Sequence, residues 1–251
     1  MKVGVLTSSR ADYGIFKSLL YDLKNDNVFQ LEIIAFGTHL SPEYGYTLSD
    51  IIKDGYKIIH EVCEAGNDDS QLGVVQTYGS IILQFAEFWD NNKYDIVLCL
   101  GDRFEMSAAV QSSIPFNVTL AHIHGGETTL GAIDNIYRHQ ISMASKYHFV
   151  STNSNKNKVK ELTGSEENIY NVGSLSLSDI LCFKPMMRST WCDNFDIEDA
   201  PFILVTFHPE TVSVERNYKF SIEMRDALEY LSRSINIVIT MPNADTLGSL
   251  Y

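Results

Sequence analysis

Apolar residues along this chain fall into short runs separated by stretches with helical spacing, and that alternation predicts most of its elements. Val3 to Leu6 is an apolar run closed by the polar Thr7, Ser8 and Ser9, after which Ile15, Leu19, Leu20 and Leu23 recur on one side of a helix. Leu31 to Phe36 reads as a second strand, Gln71 to Trp89 as a long helix, Ile96 to Leu100 as a strand, and Met106 to Ser113 as a helix stopped by Pro115. Further strands are expected over Asn117 to Ile123, Tyr147 to Val150 and Ile169 to Val172, with helices around Tyr137 to Ser145 and Asn155 to Leu162 between them. Strands alternating with helices imply an α/β fold with mostly parallel, doubly wound sheets.

After Val172 the pattern loosens. The stretch from Ser174 to Pro201 holds Pro185, a methionine pair and the acidic run DNFDIEDAP, and reads as a connection. Phe202 to Thr206, Ser221 to Leu231 and Ile235 to Thr240 then form one fresh strand, helix and strand, too little to bury both faces of a sheet. The expected organisation is a Rossmann-like domain over residues 1–172, a connection over 173–201 and an incomplete second Rossmann-like unit over 202–251.

Composition narrows the classes of function. The 251 residues, 45% of them hydrophobic, suffice for a full core. With 32 acidic against 19 basic residues the formal charge is -13, which argues against a nucleic-acid partner, so an anionic ligand must be held locally. No apolar run approaches a membrane span, and the start MKVGVLTSSR lacks the apolar core of a signal peptide, so a cytoplasmic protein without a membrane partner is expected. Cys63, Cys99, Cys182 and Cys192 show no CxxC spacing and read as free thiols.

Polar chemistry clusters at predicted strand exits, where α/β enzymes place it. The segment LAHIHGGETTLGAIDNIYR, Leu120 to Arg138, is the densest. If the strand persists, His122 and His124 share a face, so a metal pair and a satisfied core histidine are both open readings. Gly125 and Gly126 permit close backbone approach, Glu127 and Asp134 supply two carboxylates for acid-base work, and Asp134 and Arg138 fall one helical turn apart. Upstream, Asp102 is either a helix cap or an acid-base group, and Arg103 beside it an anion partner. In the first turn Arg10 either clamps a phosphate at a helix N-terminus or is simply solvated, while Ser9 or Asp12 caps the helix. No GxGxxG fingerprint supports a dinucleotide. His208 follows the FILVTF strand as a turn residue or as a group reaching a diphosphate, and Asn243 lies in a polar turn that closes the last strand.

SSRADYG at 8–14, GDRFEM at 101–106, HIHGGE at 122–127, IDNIYRH at 133–139, FHPET at 207–211 and MPNAD at 241–245 together resemble the hydrolysing UDP-N-acetylglucosamine 2-epimerases of sialic-acid and legionaminic-acid pathways. The resemblance implies a two-domain, GT-B-like fold with its site in the interdomain cleft. It also implies inversion at C2 with loss of UDP through 2-acetamidoglucal, releasing N-acetylmannosamine without a redox cofactor or a metal. Asp102, Glu127 and Asp134 then correspond to the carboxylates that move protons and His208 to the histidine beside the diphosphate. Arg10, Arg103 and Arg138 correspond to anion partners, and His124 and Asn243 to further substrate contacts. Some relatives have Glu at the position of His124, which leaves the division of acid and base roles among His124, Glu127 and Asp134 open.

Members of that family continue well beyond MPNAD. A chain ending at Tyr251 is therefore expected to be a truncated homologue that folds its first domain, forms a homo-oligomer through its exposed second unit, and has little epimerase activity. UDP-diacetylbacillosamine as substrate, a glycosyltransferase of the same fold, and a non-catalytic binding fragment are the competing readings.

Overall fold

In a computed structural model of the chain, the described residues are 1–240 apart from 65, 67, 179, 181, 182, 209 and 211–213. They form two compact units, Met1–Ser178 and Asp179–Tyr251.

The first unit is a parallel sheet of seven strands. Its elements are β1 (Lys2–Thr7), α1 (Arg10–Asn25), β2 (Gln30–Gly37), α2 (Leu48–Lys53), β3 (Ile59–Glu64), α3 (Gln71–Asn91), β4 (Ile96–Leu100), α4 (Phe104–Ser113), β5 (Leu120–Ile123), α5 (Asp134–Ala144), β6 (Tyr147–Val150), α6 (Asn153–Thr163) and β7 (Ile169–Asn171). The strand order is β3-β2-β1-β4-β5-β6-β7, every neighbouring pair parallel.

Strands covered on both faces must be apolar in both registers, and the central ones are. Ile34, Phe36, Val97, Cys99 and Leu120 enter one core with Ile81, Phe85 and Trp89 of α3, Met106 to Val110 of α4 and Ile141 of α5. Their alternates Ile33, Ala35, Leu98, Leu100, Ala121 and Ile123 enter the other with Tyr13, Phe16 and Leu20 of α1 and Leu48 and Ile51 of α2. Caps fix where the helices begin. The Ser9 hydroxyl accepts the Asp12 N–H at 3.3 Å, and Ser70 and Thr152 cap α3 and α6 in the same way. Helix α4 is buried along most of its length because Ser107, Ala108 and Ala109 are small enough to let it lie between α3 and α5.

Several expectations change. The strand expected from Asn117 starts at Leu120, because Asn117 is left-handed at φ 53° and closes the preceding turn with its N–H on the Ile114 carbonyl. Strand β3 is an edge strand, mostly half-exposed, and its residues IHEVCE lack the apolar run that marks the central strands. The loose stretch around 188–194 is helical.

The second unit contains α7 (Arg188–Asn194), β8 (Phe202–Val205), α8 (Asn217–Leu231) and β9 (Asn236–Ile239). Its sheet is small, β8 and β9 pairing in parallel over four residues each. Trp191 stacks on Phe202 at 5.0 Å between ring centroids. Among the described residues no helix is long and apolar enough to cross a membrane.

Candidate active site

The strand order reverses between β1 and β4, since the chain runs outward through β2 and β3 and returns to β4 on the other side of β1. Open parallel sheets bind ligands in the crevice at such a reversal, outside the carboxyl ends of the strands. The turn after β1 holds Ser8, Ser9 and Arg10, the turn after β4 holds Gly101, Asp102 and Arg103, and the exit of β5 lies next in the sheet.

The β5 exit is built around two histidines in different states. His122, fully buried on the strand, places Nε2 2.9 Å from the Gly101 carbonyl and Nδ1 2.9 Å from the Ser142 hydroxyl of α5. The carbonyl can only accept, so Nε2 carries the proton and Nδ1 accepts from Ser142. Burial holds the pKa of this imidazole down at about 3. With both nitrogens engaged it is a structural histidine, which corrects the metal-pair alternative for His122 and His124. The strand also ends at Ile123, and His124 turns away with φ 65°. Among the described residues no three His, Cys, Asp or Glu side chains group to hold a metal ion.

His124 receives the Leu175 N–H on Nε2 at 3.1 Å, which puts the proton of the neutral ring on Nδ1, 3.6 Å from Glu127 Oε1. Burial lowers its pKa, with Glu127 opposing and Arg138 adding to the shift. Glu127 Oε1 also accepts from the Ser151 hydroxyl at 2.7 Å, and Ser151 accepts from the Asn155 amide at 2.8 Å. The two glycines between them make this possible. A Cβ on Gly125 would stand 3.0 Å from His122 Nδ1, and one on Gly126, at φ 77°, would stand 2.4 Å from the Asn155 carbonyl oxygen.

Arg138 ties the cluster together. One guanidinium nitrogen donates to the His124 carbonyl at 2.8 Å and lies 3.5 Å from Glu127 Oε2, while the other donates to Asp102. The side chain is 6% exposed, against 23% for Asp102 and 33% for Glu127, so one buried cation holds two carboxylates that face outward. Asp102 is therefore not a helix cap; Arg103 takes the cap position of α4 through its backbone.

Neighbours in sequence diverge here. Arg103 makes a two-pronged contact with Glu105 at 2.9 and 3.2 Å, and Glu105 is buried. The charge of Arg103 also reaches Asp12, whose carboxyl pKa burial raises while Arg103 and the Ser8 donors pull it back. Asp12 accepts from the Ser8 N–H at 3.0 Å and the Ser8 hydroxyl at 2.6 Å, closing the first turn. That turn is braced from β2, where the Thr38 N–H donates to the Ser8 carbonyl at 2.9 Å and the buried His39 contacts Thr7 and Thr47 hydroxyls at 2.9 and 2.8 Å.

Of the residues singled out in the sequence, Asp102, His124, Glu127 and Arg138 meet in one network. Arg103 belongs to a separate pair with Glu105. Asp134 opens α5 one turn before Arg138, and its charge and that of Glu105 both act on the Tyr137 phenol, whose pKa is raised chiefly by burial. Arg10 is exposed at the start of α1, without a hydrogen-bond or ion-pair partner among the described residues. His208 follows β8 in the second unit and is exposed, and Asn243 lies outside the described residues. Sequence reasoning passed over Ser151 and Asn155, and it named Glu105 in the cluster after β4 without giving it a role. The strand-exit rule that found Asp102 would also have found Ser151, which follows β6 directly.

A family model described as UDP-N-acetylglucosamine 2-epimerase matches residues 21–250. The chain is 31% identical over 252 residues to the GDP/UDP-N,N'-diacetylbacillosamine 2-epimerase (hydrolyzing) of Campylobacter jejuni, covering 99% of this chain and 65% of that protein. It is 31% identical over 251 residues to the UDP-N,N'-diacetylbacillosamine 2-epimerase (hydrolyzing) of Legionella pneumophila, covering 99% and 66%. Among solved structures, UDP-GlcNAc 2-epimerase from Neisseria meningitidis bound to UDP-GlcNAc superposes with a TM-score of 0.75 at 17% identity, over 95% of this chain and 65% of that one. The chain thus spans about two thirds of the length of the relatives it matches.

Proposed function

Because the chain belongs to the UDP-N-acetylglucosamine 2-epimerase family, we propose that its first unit carries the carboxylate machinery of a hydrolysing 2-epimerase. The reaction is inversion at C2 of UDP-N-acetylglucosamine, releasing N-acetylmannosamine and UDP. The observation that carries this reading is the pair Asp102 and Glu127 held side by side by the buried Arg138 at the exits of β4 and β5.

In the first half-reaction a carboxylate takes the proton from C2, the electron pair forms the C1–C2 double bond of 2-acetamidoglucal, and the C1–O bond breaks with its electrons leaving on UDP. In the second, water adds its oxygen to C1 and a proton is delivered to C2 on the opposite face. Such chemistry needs two proton-handling groups within one site and compensation of charge on the leaving oxygens. Asp102, Glu127 with its His124 partner, and Asp134 are assigned to the proton steps. Arg10, Arg103 and His208 are assigned to the anion and Asn243 to a substrate contact; these four assignments rest on the resemblance of the motifs. Arg138, paired with the carboxylates in this structure, is assigned to positioning them in place of the anion contact. The product is a precursor suited to nonulosonic acid synthesis.

Incubation with UDP-N-acetylglucosamine in deuterated water tests the reading. In an intact enzyme carrying this unit, the expected product has deuterium at C2 of the released sugar, and Asp102→Asn, Glu127→Gln or Asp134→Asn each lowers turnover roughly 10² to 10⁴-fold. Unlabelled product, transfer of the sugar to an acceptor, or normal turnover in all three variants would overturn it. A second substrate has a specific basis, since both curated relatives described above are named for diacetylbacillosamine. Higher kcat/KM on that nucleotide sugar in side-by-side assays would assign it.

A further inference from the structure

Glu127 is the longer and the more exposed of the two carboxylates that share Arg138. A glutamate side chain loses much rotamer freedom when it is held in one pose, and Arg138 approaches this one only to 3.5 Å. The start of α6 supplies the firmer hold. Ser151 stands just ahead of the cap Thr152, and Asn155 and Lys158 follow at four and three residues, a spacing that keeps to one side of a helix. The Ser151 hydroxyl donates to Glu127 Oε1 at 2.7 Å, the Asn155 amide donates to Ser151 Oγ at 2.8 Å, and Lys158 Nζ donates to the Thr128 hydroxyl at 2.6 Å.

The backbone shows independently that the loop after β5 is seated against this helix. Gly126 has φ 77°, and a Cβ there would stand 2.4 Å from the Asn155 carbonyl oxygen, so only glycine lets the residue before Glu127 come so close. The helix turn itself is fixed, because the Asn155 N–H donates to the Thr152 hydroxyl at 3.2 Å.

The direction of the hydrogen bonds follows from the groups. An amide nitrogen can only donate, so Ser151 Oγ accepts from Asn155 and its one proton is left for Glu127. The Nδ1–H of His124 lies 3.6 Å from the same oxygen. Oε1 therefore faces two donors, and Oε2, facing Arg138 at 3.5 Å, is the less engaged oxygen.

From this geometry we propose that Ser151, oriented by Asn155, is a positioning residue for the epimerisation: it anchors Glu127 through Oε1 and so aims Oε2 at the proton exchanged with C2. The inference rests on the assignment of Glu127 to the proton steps. Proton transfer depends steeply on placement, and a displacement of about 1 Å costs on the order of 10²-fold in rate. Ser151 acts through Glu127, so its loss falls on kcat and leaves KM nearly unchanged.

Steady-state kinetics with UDP-N-acetylglucosamine in deuterated water, in an intact enzyme carrying this unit, tests the inference. Ser151→Ala should lower kcat roughly 10- to 100-fold with KM within about twofold. Ser151→Thr, which keeps the hydroxyl, should restore kcat to within about threefold of wild type. Asn155→Asp keeps the shape but draws the Ser151 proton away from Glu127, and should lower kcat in the same direction. In a Glu127→Gln background Ser151→Ala should remove less than about twofold more, because the two residues act as one unit. A wild-type enzyme that releases no sugar labelled at C2 would overturn the reading of the site and the inference with it. With labelled product from the wild type, the inference alone falls if Ser151→Ala or Asn155→Asp turns over normally. It falls equally if Ser151→Ala raises KM in place of lowering kcat, or loses its full factor again in the Glu127→Gln background, as a merely structural residue would.

Discussion

Strand β8, reading FILV, is as apolar as β4, reading IVLCL, yet the two end in different environments. Val97 to Leu100 of β4 are all buried, whereas Leu204 of β8 is 60% exposed and its neighbours only half-buried. The helices differ in the same way. Helix α3 buries Phe85 and Trp89 completely, while α8 leaves Tyr218, Met224 and Tyr230 exposed and buries only the polar Asn217. Among the described residues Cys192 is the sole buried apolar side chain of the second unit. The difference lies in the number of layers available. Seven strands with helices on both faces supply neighbours for nearly every apolar side chain of the central strands, and the two strands and one long helix among the described residues of the second unit do not. Strand quality is local, but burial is collective.

The largest expected effect that sharpens this contrast is in the core of the first unit. Phe85→Ala removes a fully buried ring packed 4.9 Å from Phe36 and 5.6 Å from Trp89 between centroids, and should cost about 4 kcal/mol. Amide exchange read peptide by peptide measures this for each unit separately. Protection lost across β1, β2 and β4 together is expected, and a change confined to α3 would mean that the sheet does not unfold as one body.

Acid should act on the same unit. Burial keeps His39, His122 and His148 neutral, with folded pKa values lowered to about 4, 3 and 4. In the unfolded chain each titrates near 6.5. Below that value the unfolded state takes up protons that the folded state refuses, so stability falls as pH drops from about 6.5. The loss approaches 1.4 kcal/mol per pH unit for each histidine, and slows as the folded imidazoles protonate near pH 4 and 3. Glu32, whose pKa is lowered by His60, Lys2 and Tyr94 against the opposing effect of burial, adds to the acid loss, while the raised Asp12 works against it. Urea midpoints of the first unit at pH 7, 6 and 5 should decline in sequence; a flat series would remove the buried histidines from the account.

The smallest effect is expected from Leu204→Ala, which uncovers little that water does not already reach. A change within about 0.5 kcal/mol in the exchange of β8 and β9 fits the contrast. A cost like that of a core leucine would show that the second unit buries more in solution than its accessibility records.

Much of the first unit was legible along the chain because its strands are buried on both faces and its helices are amphipathic, so each element carries its own periodicity. β4 starts and stops at the residues the pattern gives. β3 escaped because an edge strand with one buried thiol among polar neighbours has no such period. The start of β5 was misplaced because Val118 and Thr119 are good strand residues, and only the left-handed turn at Asn117 shows that pairing has not yet begun. The site was half legible. Residue type at strand exits pointed to Asp102, His124 and Glu127, but their partners came only with the fold: Asp102 meets Arg138 while Arg103 meets Glu105, and of the two readings open for His122 the satisfied core histidine is the one seen, held between Gly101 and Ser142.

By itself, the sequence determined what neighbouring residues decide among themselves: the order and type of most elements, a cap in the turn that holds Ser9, and the motifs that mark the family. Those signals are short in range and survive in a string of letters. Only the tertiary structure decided which carboxylates share Arg138, that Ser151 from the exit of β6 holds Glu127, and that the strand order reverses between β1 and β4. Each of these depends on which strands lie side by side. That choice is made by the joint burial of residues far apart in the chain, which no local pattern records.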